Sequence, residues 1–375
     1  MKKIMKKVGK FFLFHCLFPL MYKWYSRNQI EKRRVLFIEI RYAELTNNFT
    51  LLYEEFCKKE TYSVDVAFLG NSVFSYMDYI RACIEMLKKL AAAEYVLVDE
   101  SSNVLAAIPI RKETKIIQVW HGCGAFKRFG YEGMADINEK YYNEYYFTTV
   151  SSPEVVDIYA KSMGQPKEKI LPIGVSRTDV FFDKQYVISC ENEIRERYDI
   201  AGDKKVILYA PTFRGNVQDA KSPKLLDPAK LYDKLKERYV ILYKGHPAVK
   251  DTPDIPAIYS RFFVDASKEK IETLMCAADM CITDYSSLIF EYALLERPMY
   301  FYAYDYKEYV TERGFYYNYN DFIPGEIYYY EEELAEGIIK GNGEISDKLV
   351  YFRKRFMSSC DGKSTSRIID KMLAM

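Results

Sequence analysis

Histidine is scarce in this chain, with three among 375 residues. Imidazole is the side chain whose ordinary pKa lies between about 5 and 8, so proton transfer near neutral pH has few candidate carriers. The eight cysteines are scattered, without a Cys-x-x-Cys pair or a Cys/His cluster. That argues against a zinc site and a disulfide framework and suits a reducing compartment. There is no Gly-x-Gly-x-x-Gly, which removes the dinucleotide fingerprint. There is no Asp-x-Asp, which weakens a metal-dependent nucleotide-sugar site. Gly362-Lys363-Ser364-Thr365 looks like the end of a phosphate loop, but the first glycine of that motif would fall at Met357. Neither a metal nor another cofactor is expected. The net charge of +1 gives no global argument for nucleic acid as a partner.

Long apolar runs are also missing. The best is Phe11–Tyr22, interrupted by His15 and Pro19 and too short for a bilayer, which needs about 20 apolar residues. It lies between Lys2, Lys3, Lys6, Lys7 and Lys10 on one side and Lys23, Arg27, Lys32, Arg33 and Arg34 on the other. A basic segment around Phe, Leu and Trp reads as an interfacial anchor on anionic lipid. The plain alternative is a helix packed on the protein's own body. Residues 1–33 are therefore expected to be a membrane-associating arm, separable from the catalytic core, on the cytoplasmic face of the cell membrane.

Beyond the arm, apolar strand-like runs alternate with helix-like segments. Val35–Ile40, Tyr62–Leu69, Tyr95–Val98, Lys115–Trp120, Tyr145–Val150 and Lys169–Ile173 form one set. Lys205–Tyr209, Tyr239–Tyr243, Arg261–Val264, Met280–Thr283 and Pro298–Tyr302 form a second. Such alternation means βαβ units and a parallel sheet. The expected fold is α/β, with two Rossmann-like domains over 34–183 and 184–375 facing one cleft.

Ligands of open α/β sheets bind at the carboxyl ends of the strands, and several candidate residues fall there. His121 closes the run Lys115–Trp120, and His246 follows Tyr239–Tyr243. Thr212 and Arg214 follow Lys205–Tyr209, where a guanidinium offers a phosphate a bidentate fork. Asp284, Ser286 and Ser287 follow Met280–Thr283; the serines would cap a helix whose free N–H groups face an anion. Each has a plainer reading: a turn arginine, a histidine bonded to backbone, an ordinary cap. Convergence of Arg214, His246 and the Ser286–Ser287 helix start would make a pyrophosphate grip without metal. His121, on the other domain, would take a proton from an attacking hydroxyl. Lys127 and Arg128 are candidates for an anionic acceptor, or are solvated surface charges.

The ordered set Gln118-Val-Trp-His-Gly122, Ser151-Ser-Pro153, Tyr209-Ala-Pro-Thr-Phe-Arg214, His246-Pro247 and Thr283-Asp-Tyr-Ser-Ser-Leu-Ile-Phe-Glu-Tyr-Ala293 resembles the CDP-glycerol glycerophosphotransferases of teichoic acid and capsule synthesis. Arg297-Pro298-Met299, Arg313-Gly314-Phe315-Tyr316 and Asp361-Gly362-Lys363-Ser364-Thr365 extend the likeness, which covers roughly 115–370. The resemblance implies a GT-B architecture with the CDP-linked donor in the C-terminal domain. It implies transfer of a polyol phosphate to a lipid-linked saccharide or polyol-phosphate acceptor, with CMP leaving. His121 would be the base, His246 a second catalytic group, and Arg214, Thr212, Asp284, Ser286 and Ser287 the donor site. A GT-B glycosyltransferase using a nucleotide sugar is the alternative. Two segments depart from the family pattern: Cys123-Gly124, where Thr-Pro is common, and Ser176 and Thr178 in Gly174-Val-Ser-Arg-Thr-Asp179. Both are expected to bear on acceptor identity.

Overall fold

The computed structural model describes residues 11–133, 142–215, 220–249, 253–312, 314–341 and 343–375. The five lysines that open the arm, and Arg313 of the closing motifs, lie outside the described residues.

The chain divides into two compact units. Unit 1 comprises Met1–Gly122, Phe129–Asp179 and Ser359–Met375; unit 2 comprises Cys123–Arg128 and Val180–Ser358. The chain therefore crosses between them more often than one division near residue 183 would require, and its last helix, Ser364–Leu373, belongs to unit 1. The reason is apolar: Ile368, Ile369 and Met372 of that helix complete the core formed with Val35, Phe37, Phe49, Leu97 and Ile117.

Unit 1 carries a six-stranded parallel sheet. Its strands are β1 (Glu31–Glu39), β2 (Ser63–Phe68), β3 (Ala93–Val98), β4 (Lys115–Gln118), β5 (Phe147–Thr149) and β6 (Ile170–Leu171), in the order β2-β1-β3-β4-β5-β6. β3 is buried along its whole length, as expected of a strand covered on both faces. Ser75 caps the crossover helix Tyr76–Ala92 by accepting from Asp78 N at 3.3 Å. Because β1 turns to β2 on one side while β3 continues to β4 on the other, the strand order reverses between β1 and β3. That is the switch point where such sheets open a crevice.

Unit 2 repeats the scheme with β7 (Lys205–Tyr209), β8 (Tyr239–Tyr243), β9 (Phe263–Asp265), β10 (Met280–Thr283), β11 (Met299–Tyr302) and β12 (Glu326–Tyr328). The order β12-β11-β10-β7-β8-β9 is again wholly parallel and reverses between β7 and β10. β12 is not in the sequence-derived set: with three residues, none fully buried, it leaves no apolar run to read.

The arm is not detached from the body. Phe14, Phe18 and Tyr22 are buried, Arg111 N donates to Tyr22 Oη at 3.2 Å, and β1 already begins at Glu31. On this first helix, which runs through Leu13–Leu17 and Phe18–Tyr25, Phe12 at its start, Leu20 and Trp24 are exposed on the other face; Phe11, just before it, is exposed as well. No helix among the described residues is long and apolar enough to cross a membrane.

Candidate functional site

In unit 1 the ends of β1, β3 and β4, with the turn after β6, bring together one histidine, three carboxyl groups and two arginines. β4 stops at Gln118, and the backbone turns sharply through Trp120 at φ +55°. Gln118 holds this turn: its Oε1 accepts from Trp120 N at 2.9 Å and its Nε2 donates to Glu100 O at 3.3 Å. The turn directs His121 back towards β3. Its Nδ1 lies 3.1 Å from the carbonyl oxygen of Asp99 and 3.2 Å from Glu100 Oε1. Among the described residues its Nε2 makes no hydrogen bond, and 36% of the side chain is exposed. Loss of hydration, with Arg41 and Arg177 nearby, pushes the imidazole down to about 3, against the Asp99 carbonyl, which favours the charged ring. At neutral pH the ring is therefore uncharged, the form that accepts a proton.

Of the carboxyl groups around it, Glu39 and Asp99 are buried and Glu100 is mostly so. Glu39, at the end of β1, accepts from Thr46 Oγ1 at 2.8 Å and from Arg41 N at 3.2 Å. Asp99 accepts from Asn48 Nδ2 at 2.7 Å, and Asn48 Oδ1 in turn accepts from Arg177 Nη1 at 3.1 Å. Burial first, then the charge of Glu39, pushes Asp99 up to about 7. Glu100 pairs with Arg41 Nη2 at 2.6 Å, yet burial outweighs that cation and moves it up to about 7 as well. Glu39, Arg41, Asp99, Glu100 and Arg177 were not among the sequence candidates. A signal existed, since Glu39 and Asp99-Glu100 follow the apolar stretches Val35–Ile38 and Tyr95–Val98, where an acidic group has no packing role.

In unit 2 the switch point between β7 and β10 is built around Asp284. Its Oδ1 accepts from Thr212 N at 2.8 Å, Thr212 Oγ1 at 2.6 Å and Tyr285 N at 2.6 Å. Its Oδ2 pairs with Arg214 Nη2 at 3.0 Å. Arg214 does not present an open fork. Its Nε and Nη2 grip Asp305 at 2.5 and 3.0 Å, and its Nη1 donates to Thr212 O at 2.6 Å. Burial opposes its charge, but the bonds and charges of Asp305 and Asp284 outweigh this and raise its pKa. Thr212, Arg214 and Asp284 thus brace the loop after β7. Asp305, 91 residues beyond Arg214, was missed because nothing local marks it.

The remaining candidates sit nearer the surface. His246 is exposed, tilts against Phe213 with ring centroids 4.5 Å apart, and accepts from Ala248 N through Nδ1 at 3.1 Å. Ser286 Oγ accepts from Leu288 N at 3.3 Å, whereas Ser287 makes no side-chain cap bond to the short helix Leu288–Tyr292. The expected double cap is thus a single one. Lys127 and Arg128 belong to unit 2 rather than to unit 1. Lys127 bridges Phe315 and lies over the Tyr309 ring, and Arg128 N donates to Gly314 O at 3.0 Å.

The departures from the family pattern have internal explanations. Gly124 has φ +60°, which proline cannot adopt, and a Cβ there would lie 2.1 Å from the Phe290 ring. Ser176 is buried with its hydroxyl 2.9 Å from Thr365 Oγ1, and buried Thr178 bonds Val175 O at 2.7 Å. Asp179 accepts from Ser364 N and Thr365 N at 3.0 and 2.7 Å. The Gly-Lys-Ser-Thr segment is therefore a helix start already capped by a carboxylate.

Comparison with known proteins agrees with these motifs. A family model described as CDP-Glycerol:Poly(glycerophosphate) glycerophosphotransferase matches residues 20–374. The chain is 35% identical, over 95% of its length, to a teichoic acid poly(ribitol-phosphate) polymerase of Bacillus spizizenii, of which it spans 59%. It is 31% identical, over 91% of its length, to a teichoic acid ribitol-phosphate primase of the same organism, of which it spans 91%. The fold is shared with the wall teichoic acid polymerase TagF at a TM-score of 0.74 and 23% identity, covering 100% of this chain and 97% of that one.

Proposed function

Because the chain belongs to the CDP-glycerol:poly(glycerophosphate) glycerophosphotransferase family, we propose that it transfers a polyol phosphate from a CDP-polyol, CDP-glycerol or CDP-ribitol, to a hydroxyl of a polyol-phosphate or lipid-linked saccharide acceptor in teichoic acid synthesis. The acceptor oxygen forms a bond to the phosphorus that carries the polyol. The bond from that phosphorus to CMP breaks, and CMP leaves with the electron pair. The acceptor proton goes to His121 Nε2.

The observation that carries this reading is the His121 ring: uncharged, with Nδ1 against two oxygens and Nε2 open, at the end of β4. General-base help of this kind is worth about 10²–10⁴ in rate, and phosphoryl transfer otherwise rests on positioning and charge stabilisation. On the donor side, Ser286, Ser287 and His246 hold the diphosphate. Thr212, Arg214 and Asp284 keep the loop after β7 in shape for it. Lys127 and Arg128 contact an anionic part of the substrate. The enzyme works on the cytoplasmic face of the membrane, against which the exposed apolar side of the first helix rests.

The test is a donor screen with CDP-glycerol, CDP-ribitol and nucleotide sugars, reading CMP release and the mass added to acceptor. Release of CMP from a CDP-polyol is expected. Turnover with nucleotide sugars alone rejects the proposal in favour of a glycosyltransferase. His121→Ala is expected to lower turnover at least about a hundredfold with donor binding retained; undiminished turnover removes His121 from the mechanism.

A further inference from the structure

The reach of His121 as a base depends on which nitrogen carries its proton and on the charges around the ring. We propose that Glu100, held by Arg41, is the positioning residue that braces the Nδ1–H of His121 and balances the arginine charge beside it. This rests on His121 being the base.

The tautomer follows from donor and acceptor types. The carbonyl oxygen of Asp99 can only accept. It lies 3.1 Å from Nδ1, so Nδ1 carries the hydrogen and Nε2 keeps its lone pair facing outward; Glu100, once ionised, accepts from the same Nδ1–H at 3.2 Å. The Asp99 carbonyl alone would fix that tautomer. What it cannot do is offset charge as the ring becomes imidazolium. Arg41, from the segment after β1, and Arg177, from the turn after β6, both disfavour the charged ring. Glu39 and Asp99 complete the charged surroundings: Glu39 is bound to Thr46 and the Arg41 backbone, and Asp99 to Asn48. Glu100 is the carboxyl that touches both His121 Nδ1, at 3.2 Å, and the Arg41 guanidinium, at 2.6 Å. Its backbone is tied to the β4 turn through Gln118, so ring and carboxylate are placed by one strand-end scaffold. Above about pH 7, where Glu100 is ionised, removing its charge leaves Arg41 uncompensated next to a ring that must accept a proton.

Two measurements test this on the full chain. First, the nitrogen shifts of ¹⁵N-labelled histidine report the tautomer. With three histidines, His121 is assigned by the loss of its signal in His121→Gln. An Nδ1–H ring is expected; an Nε2–H ring overturns the proposal without needing any variant of Glu100 to fold. Second, with kcat read well above pH 7 so that Glu100 is ionised, Glu100→Gln is expected to lower kcat at least about tenfold with KM for the CDP-polyol unchanged. Adding Arg41→Gln is expected to restore kcat by about threefold or more, because the stranded cation is then gone. A purely structural role predicts a double variant no better than the single one, and that result overturns the proposal. If His121→Ala remains active, the base itself is wrong. If His121→Ala is inactive while Glu100→Gln keeps its kcat, only the role of Glu100 falls.

Discussion

At the residue scale, charged side chains that look like ligand contacts in sequence turn out to serve two different ends. Arg214 follows a strand, as a phosphate-binding arginine should, but its fork is filled by Asp305 and its remaining reach by Asp284 and Thr212. Asp284 is the centre of that network, buried and accepting from two backbone amides and a hydroxyl besides the arginine. Breaking a buried ion pair from one side costs about 3–5 kcal/mol, because a desolvated charge loses its partner. Asp284→Ala is thus expected to destabilise unit 2 by roughly that amount, with Asp305 limiting the loss. Hydrogen exchange in the segment 205–214 is the readout, since the Thr212 amide loses its acceptor. Protection equal to the unaltered chain would show that the loop stands without the network. The positions of Arg214 and His121 at strand tips were legible in the sequence. Their partners were not, because Asp305 and Glu100 reach them through the order of strands in the sheet, and no local pattern specifies that order.

At the element scale, β-branched and aromatic runs announced most of the strands; β12, short and half-exposed, did not. The first helix shows what amphipathic reading can and cannot decide. Its sequence allowed either a lipid anchor or a helix packed on the protein, and the structure gives one face to packing. Phe14, Phe18 and Tyr22 recur every four residues and are buried, so removing the arm would strip part of unit 1. The other face exposes Phe12 at 58%, Leu20 at 66% and Trp24 at 61%, with Lys23 and Arg27 beside them. Burying one such apolar side chain is worth about 1.5–3 kcal/mol, enough for several together to hold a peripheral protein with help from basic residues. Changing Phe12, Leu20 and Trp24 to Ser spares the buried face. Co-sedimentation with phosphatidylglycerol-containing vesicles is expected to fall at least about tenfold. Undiminished binding would move the contact elsewhere.

At the scale of the whole molecule, each unit places its charged cluster at the point where its own strand order reverses, β1/β3 in unit 1 and β7/β10 in unit 2. A crevice at a switch point gathers loops from both directions, and buried ionisable groups gathered there make folding depend on pH. In unit 1 the signs oppose. Asp99 and Glu100 are raised to about 7, from unfolded values near 4. The stability they contribute is fully present below about pH 4 and is lost as pH rises towards 7. His121 is lowered to about 3 from an unfolded value near 6.5. Its contribution is present above about pH 6.5 and is lost as pH falls. Between about pH 4.5 and 6.5 the folded state thus holds roughly two extra protons on the carboxyl groups and one fewer on the imidazole. Glu94 and Asp361, whose pKa values are lowered, act below that window. The balance is about one extra bound proton, so unit 1 is expected to lose stability as pH rises across the window. Both tryptophans, Trp24 and Trp120, lie in unit 1, so their fluorescence follows its unfolding in urea separately from that of unit 2. The urea midpoint is expected to fall from pH 4.5 to pH 6.5. Asp99→Asn removes one of the two titrating carboxyls, and its midpoint should be nearly flat over the same range. A midpoint that rises with pH in the unaltered chain would mean that the imidazole outweighs the carboxyl pair and that Asp99 and Glu100 are ionised in the folded state.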